Sequence, residues 1–473
     1  MVSTIRTKTP DVRLFYGSEE LYRPASTNFY ARLNSVVGVW SVLCAPLRSV
    51  FSQSREGRPV DHVVYFKIFL IGYLEGIIFD TDLAERIADS LAIREFLGYG
   101  PCERTPDHSS IGRVRAQFAA GEQLEQVFNS VVALCAKQGL VGGERTSVDS
   151  TLLPANASLS SLECVTTKLS VGEHLKRARE AGQKLAVSNK DFTCTSDPEA
   201  RIAKKGTNCP RGMYHKATCV TDSKSQIILA AHVCQADLND ATAAIPALEH
   251  AKEVLESNDL KLTTVVADAG YDECNFHALV EDLGATPITN YTTNKNHKPE
   301  GFTKESFEYD AERKVYICPN KAILKPQKPQ KNCTPYRAKV KDCAGCPFKD
   351  LCLDGKAKIR TISRHKNEDA RLRNIDRCHT DEGREALKER KTVVEPPFGH
   401  MKRFGGLELV NCRGTDQAEV KFVMGAMAWN LLKLAKKAGK TLLNRIFDTN
   451  LALRIAILKL NQTIAARSCN VKA

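Results

Sequence analysis

The chain has 473 residues, 42% hydrophobic and 26% charged, values near the soluble globular average, which excludes large-scale disorder and predicts two or three cored modules. A formal net charge of +13 favours a polyanionic partner, because basic side chains neutralise phosphates and release counterions, but basicity alone does not select one. Seventeen cysteines on a long chain that opens MVSTIRTKTP, with no secretory signal pattern, read as reduced cytoplasmic thiols rather than a disulfide framework.

From about Val60 to Leu140 apolar residues recur at helical spacing. The run Val63 to Phe79 carries Lys67 and Glu75 and falls short of the roughly 20 apolar residues of a membrane span, so it predicts one buried helix and no membrane partner. Between two later helices stands CERTPDHSS, where Pro106 breaks the chain and Asp107 or Ser109 can cap the next helix. That helix carries Arg113 and Arg115. A DNA-binding helix-turn-helix and a plain helical bundle with two exposed arginines both fit.

From Thr146 the pattern changes to short apolar or alternating runs, SVDSTLLPANA, MYHKATCVTD, SQIILAAHVC, LTTVVADAGY and TPITNY, which predict strands. Thr221 to Lys224 predicts a hairpin turn, and AAIPALEHAKEVLES a helix. A mixed sheet with helices packed on it follows, and the polar stretch from Ser158 to Cys209 reads as a surface excursion. After Tyr291 a segment rich in Lys, Pro, Asn and Cys reads as an insertion, before helical pattern returns at DEGREALKERKTVVE and AEVKFVMGAMAWNLLKLAKK.

Asp149 lies inside an apolar strand-like run, where an ionised carboxylate facing the interior needs a compensating partner. Asp268 ends LTTVVAD, and open sheets place their chemistry at strand ends. Each alone reads as well as a turn former or a cap. Two such aspartates with a helical glutamate make an oxygen-only set suited to two Mg²⁺ or Mn²⁺ ions, the arrangement that serves in-line phosphoryl displacement. Glu395 precedes Pro396 and Pro397, and a residue before proline is pushed from helical dihedrals, so the helix is expected to kink or restart there. Lys402 lies seven residues on, about 10 Å if helix resumes, and Arg390, Lys391 and Arg403 make the segment basic enough to meet phosphate, although a solvated charged helix fits equally.

These segments together resemble the DDE transposases of bacterial insertion sequences, in the branch with an N-terminal helical module and a cysteine-bearing insertion. The resemblance rests on Phe96-Leu97-Gly98, Thr105 to Ile111, Val148-Asp149-Ser150-Thr151, Asp268-Ala269-Gly270-Tyr271, Val394 to Gly399, Arg413-Gly414 and Trp429 to Leu434, and it spans about residues 40 to 440. It implies an α/β catalytic core, a ribonuclease H-like mixed sheet flanked by helices, with the first aspartate on the first strand, the second after the fourth and the glutamate on a later helix. Asp149, Asp268 and Glu395 match those positions. It also implies that Lys402 and the arginine position, filled by Lys391 beside Arg390, handle the terminal phosphate, while Lys388 stands where relatives carry tyrosine. The implied chemistry is cleavage at terminal inverted repeats of double-stranded DNA and attack of the freed 3′ hydroxyl on target DNA. A homodimer or larger assembly in a bacterial cytoplasm, at the nucleoid, is the implied setting.

The expected organisation is an all-α N-terminal DNA-binding domain over 1–141, core over 142–291, a cysteine- and lysine-rich insertion over 292–378, core helices over 379–440 and a helical tail over 441–473. Cys343, Cys346 and Cys352 form C-x2-C-x5-C, with Cys318 as a fourth thiolate for a structural zinc; free, partly buried thiols fit the same spacing, and Cys333 competes. Two other functions stay open: a metal-dependent nuclease on the same fold, and a DNA-binding protein that no longer catalyses.

Overall fold

The computed structural model describes residues 28–51, 61–118, 121–182, 187–205, 209–291, 301–353, 357–408 and 413–438; the tail expected over 441–473 lies outside them. The chain forms two compact units, one of Met1–Val141, Leu152–His215 and Pro397–Ala473, the other of Gly142–Thr151 and Lys216–Pro396.

The first unit begins as a helical array: Phe29–Val37, His62–Glu75, Asp80–Asp89, Leu91–Leu97, His108–Gln117 and Glu122–Lys137. Side chains cap these helices where backbone N–H groups would otherwise lack acceptors. Asn28 accepts from Tyr30 and Ala31, Asp61 from Val63 and Val64, and Asp107 from Ser110. The helix expected from Val63 to Phe79 stops at Glu75, and the next, Asp80–Asp89, begins beyond the apolar run. Gly76 takes φ 73°, a left-handed conformation that glycine adopts without a Cβ clash, and stops the first helix; the pair is bent by 100°. Among the described residues no single helix is long and apolar enough to cross a membrane.

The stretch from Ser158 to Cys209, expected to be unpatterned, is built. After β1 (Arg145–Pro154) come β2 (Leu162–Cys164), β3 (Phe192–Cys194) and β4 (Arg201–Lys205), with a helix Val171–Glu180 whose Ser170 and Glu173 cap each other. Its own small core holds Leu162, Cys164, Phe192, Cys194, Ala200 and Met213. Three-residue strands carry too little periodicity to be read from sequence. Asp197, fully buried, accepts from His215 Nε2 at 3.1 Å and from the Gly414 backbone N–H at 3.1 Å, so the Arg413-Gly414 motif is tied to this excursion. In the same unit a helix covers 415–438.

The second unit carries the sheet core. β5 (Cys209–Asp222) and β6 (Ile228–Gln235) are joined by the predicted turn, and β7 (Thr264–Ala267) and β8 (Thr286–Thr289) follow. The order is β6-β5-β1-β7-β8, with β4 continuing from β5. β1, β7 and β8 run parallel, while Ser223 N donating to Arg145 O marks β5 as antiparallel to β1. Helices Ile245–Glu256 and Cys274–Asp282 make the crossovers. The helix Glu368–Cys378 lies along β8, where buried Asn374 bonds both the N–H and the C=O of Thr289 and so closes the sheet edge. A second sheet, not expected from the sequence, fills the insertion: β9 (Glu308–Asp310), β10 (Val315–Ile317), β11 (Ile323–Pro326), β12 (Cys333–Arg337) and β13 (Thr361–His365), an antiparallel meander over Phe307, Tyr316, Leu324, Tyr336 and Ile362.

Candidate active site

The register of β1 on β7 pairs Arg145 with Thr264 and Ser147 with Val266, and Asp149 lies two residues further along β1 while Asp268 follows the end of β7, so the two come close at the same end of neighbouring parallel strands. Two like charges about 5 Å apart repel by roughly 3 kcal/mol at an effective dielectric of about 20, so a cation belongs between them. Arg390 supplies one. Its Nη1 lies 3.3 Å from Asp149 Oδ2 and its Nη2 lies 3.9 Å from Asp268 Oδ2, with the guanidinium side chain only 12% exposed. The donor set therefore fits the carboxylate-seeking divalent ions expected of it: two oxygens turned toward one cationic spot.

The surroundings fix both aspartates. Asp268 accepts from the Gly270 N–H at 2.8 Å, which caps the short turn Ala269–Tyr271 that leads into the helix Cys274–Asp282. The Tyr271 side chain, fully buried, meets Ser150 Oγ at 2.7 Å, and Ser150 Oγ meets Thr218 Oγ1 at 2.8 Å. Burial first, and the charge of Asp149 second, push the Tyr271 hydroxyl well above its ordinary range, with Asp240 and Asp268 adding to the shift.

Asp240 is a carboxylate that sequence reasoning missed. A Cβ on Gly270 would meet Asp268 Oδ1 at 3.0 Å and Asp240 Oδ2 at 3.3 Å, which is why the D-A-G-Y turn needs glycine. Lys216, nearly buried on β5, holds Asp240 Oδ1 at 2.6 Å and donates also to the carbonyl of Leu238. Its signal in the sequence is a lysine inside the apolar run MYHKATCVTD.

Glu395 stands on the helix Asp381–Arg403, which runs on through Pro396 and Pro397 instead of restarting. Pro396 has no N–H for the carbonyl of Thr392, and Gln226 Nε2 donates to that oxygen at 2.8 Å in its place. The Glu395 side chain is exposed, and it lies about 140° around the helix axis from Arg390. Among the described residues no three Asp, Glu, His or Cys side chains are placed to hold one metal ion. The structure thus brings Asp149, Asp268 and Arg390 together, without Glu395.

The basic residues divide. Lys388, Lys391 and Arg403 are exposed and Lys402 is half-buried. Arg390, expected at a DNA surface, is turned inward to the aspartates. Arg113 is exposed, whereas Arg115, also expected to meet DNA, is held by Asp80 at 2.6 Å with its guanidinium 4.7 Å from the Phe69 ring centre. Cys318, Cys343 and Cys352 are partly buried against the insertion core, Cys318 Sγ accepts from the Ala322 N–H at 3.3 Å, and Cys346 Sγ from Asn320 at 3.6 Å. Burial pushes the Cys352 thiol up, Arg360 opposes the shift, and the other three sulfurs add to it.

Two family models match the chain, a transposase domain (DUF772) at residues 19–117 and a transposase DDE domain at residues 317–435. No curated protein matches it. Among solved structures it is similar to a piggyBac transposase synaptic complex with hairpin DNA, at 11% identity over 88% of this chain and 76% of that one, with a TM-score of 0.38. A Mos1 transposase paired-end complex with left transposon end follows at 10% identity over 51% of this chain and 62% of that one, TM-score 0.18. These likenesses are distant and carry no argument. What the chain shows is a match to a transposase domain near its N-terminal end and a match to a transposase DDE domain after it.

Proposed function

We propose that the protein cleaves DNA at the terminal inverted repeats of its own element and joins the freed 3′ ends to target DNA, on a ribonuclease H-like core. The observation that carries this is that Asp149 on β1 and Asp268 just past the end of β7 face one cationic position, held by Arg390. The sheet order supports the core: with the excursion set aside, Asp149 is on the first strand and Asp268 follows the fourth, as the resemblance requires. Asp149 and Asp268 would hold the divalent ions, with Glu395 as the third ligand once the helix bearing it is repositioned; bound there, the ions supply charge neutralisation for in-line phosphoryl displacement.

The chain's own residues do the rest. Ser150, Thr218 and Tyr271 hold the β1 backbone beside Asp149, and the Gly270 N–H orients Asp268. Arg113, Lys391, Lys402 and Arg403 are proposed to meet the DNA backbone. A structural zinc on Cys318, Cys343, Cys346 and Cys352 is a further part of the proposal, resting on their spacing; among the described residues the sulfurs do not form a closed site, so zinc would have to draw them together.

The test incubates the protein with duplexes carrying the ends that bracket its gene and Mg²⁺ or Mn²⁺, beside Asp149→Ala, Asp268→Ala and Glu395→Ala. Loss of cleavage in all three, with joined products from the wild type, is expected. Full cleavage by any of the three defeats the assignment, and cleavage without joined products gives a nuclease instead.

A further inference from the structure

Asp149 and Asp268 are not waiting open for a metal ion; a side chain of the same unit already stands between them. Arg390 comes from the helix Asp381–Arg403, one nitrogen turned to each carboxylate, 3.3 and 3.9 Å away. The guanidinium is almost wholly enclosed, and among the described residues its Nη1 is buried without a well-aligned hydrogen-bond acceptor. A buried arginine nitrogen that has charge compensation but no good hydrogen bond is poorly satisfied, and such a group leaves readily when a better partner arrives. A phosphate oxygen is that partner, since the guanidinium fork matches it in two parallel hydrogen bonds.

We infer that Arg390 is a resident counter-ion which occupies the divalent-metal position of the DNA-free protein and gives it up when a DNA phosphate draws the guanidinium away. The inference rests on the proposed metal site and adds its regulation. Arginine and metal compete for the same two carboxylates, so the DNA-free protein binds metal weakly. DNA then raises metal affinity, and by linkage metal raises DNA affinity by the same factor. The device protects the chain from idle metal-dependent cleavage, because the site assembles only with its substrate.

The geometry of the neighbours agrees. Asp240 stands beside Asp268 but is held by Lys216 on its other oxygen, so Lys216 does not compete for the pair. Lys391, the next residue on the helix, is exposed and cannot replace Arg390 without turning the helix by about 100°.

The experiment measures Mn²⁺ binding to the full-length, DNA-free protein by electron paramagnetic resonance of the free ion, for wild type, Arg390→Gln, Arg390→Met, Asp268→Asn and the double variant Arg390→Gln/Asp268→Asn. Removing one positive charge from between two carboxylates is expected to tighten Mn²⁺ binding by roughly tenfold or more in Arg390→Gln. Asp268→Asn should abolish that binding in both backgrounds, and a duplex oligonucleotide added to wild type should raise its affinity toward that of Arg390→Gln. Arg390→Gln binding Mn²⁺ no tighter than wild type, while Asp268→Asn still abolishes it, overturns the counter-ion role and leaves the metal site standing. Binding that Asp268→Asn does not touch removes the metal site itself. Should Arg390→Gln fail to fold by circular dichroism, Arg390→Met, which removes the charge and keeps an apolar stem, decides on the same scale: a gain in affinity supports the inference and none overturns it.

Discussion

Asp197→Ala tests how the Arg413-Gly414 motif is anchored. The Asp197 carboxylate is fully buried and takes four contacts: Oδ1 accepts from the Glu199 and Ala200 N–H groups at 3.2 Å each, and Oδ2 meets His215 Nε2 and Gly414 N at 3.1 Å each. Truncation strands a buried imidazole and weakens the hold on the Glu199 and Gly414 N–H groups, while Ala200 N keeps the Asp197 carbonyl. Removing one partner of a buried pair of this kind costs about 3 to 5 kcal/mol, a fall in Tm on the order of 10 °C. Trp40 and Trp429 are the chain's two tryptophans, and both lie in the unit that contains Asp197, so tryptophan fluorescence in a urea titration reports that unit. Gly414→Ala is a milder companion. At φ 82° an added Cβ pays for a left-handed backbone and approaches Glu199 Oε2 to 3.2 Å, costing about 1 to 2 kcal/mol. A loss below about 1 kcal/mol in Asp197→Ala, the range of an exposed substitution, would refute the reasoning.

Gln226→Ala should cost about 0.5 to 1.5 kcal/mol by leaving the Thr392 carbonyl to solvent, and hydrogen exchange should quicken selectively in the helix around Pro396; uniform exchange across that helix would contradict it. Burial lowers the Lys67 ammonium from its ordinary 10.5 to about 8. Between those values the unfolded chain binds more protons, so this group makes stability rise with pH. Burial raises the Cys44 thiol from 9.0 to about 12 and opposes that rise above pH 9, so the window to measure is pH 8 to 9. Lys67→Met should flatten the urea-midpoint slope across that window; an unchanged slope assigns the effect elsewhere. Protein purified without chelator should carry zinc that Cys343→Ser and Cys352→Ser both release, measured by atomic emission, and zinc-free wild type would end the four-cysteine proposal.

What the sequence showed depended on how local the cause was. Asp149 and Asp268 were legible because Asp149 is the one acid within β1 and Asp268 ends the apolar run of β7, and the turn at Thr221 to Lys224 is made of residues that favour turns. The helix ending at Gly76 was misread because the apolar run continues past a glycine whose left-handed φ only the fold selects. The insertion sheet and the excursion after β1 escaped notice because their strands are three to five residues long and alternate too briefly. The expectation of a break at Pro396 followed a sound local rule, but Gln226, remote in sequence, supplies the hydrogen bond that proline withholds.

Arg390 and Glu395 show where a residue-by-residue reading of the helix reaches its end. Sequence spacing placed both on one basic segment and allotted metal to the glutamate and phosphate to the arginine. The folded helix puts them about 140° apart and gives the arginine to the aspartates. A rotation of that helix large enough to bring Glu395 toward Asp149 and Asp268 necessarily carries Arg390 out of the space between them. The exit of the counter-ion and the arrival of the third carboxylate are then one movement, and a substrate phosphate that holds Arg390 outside favours both.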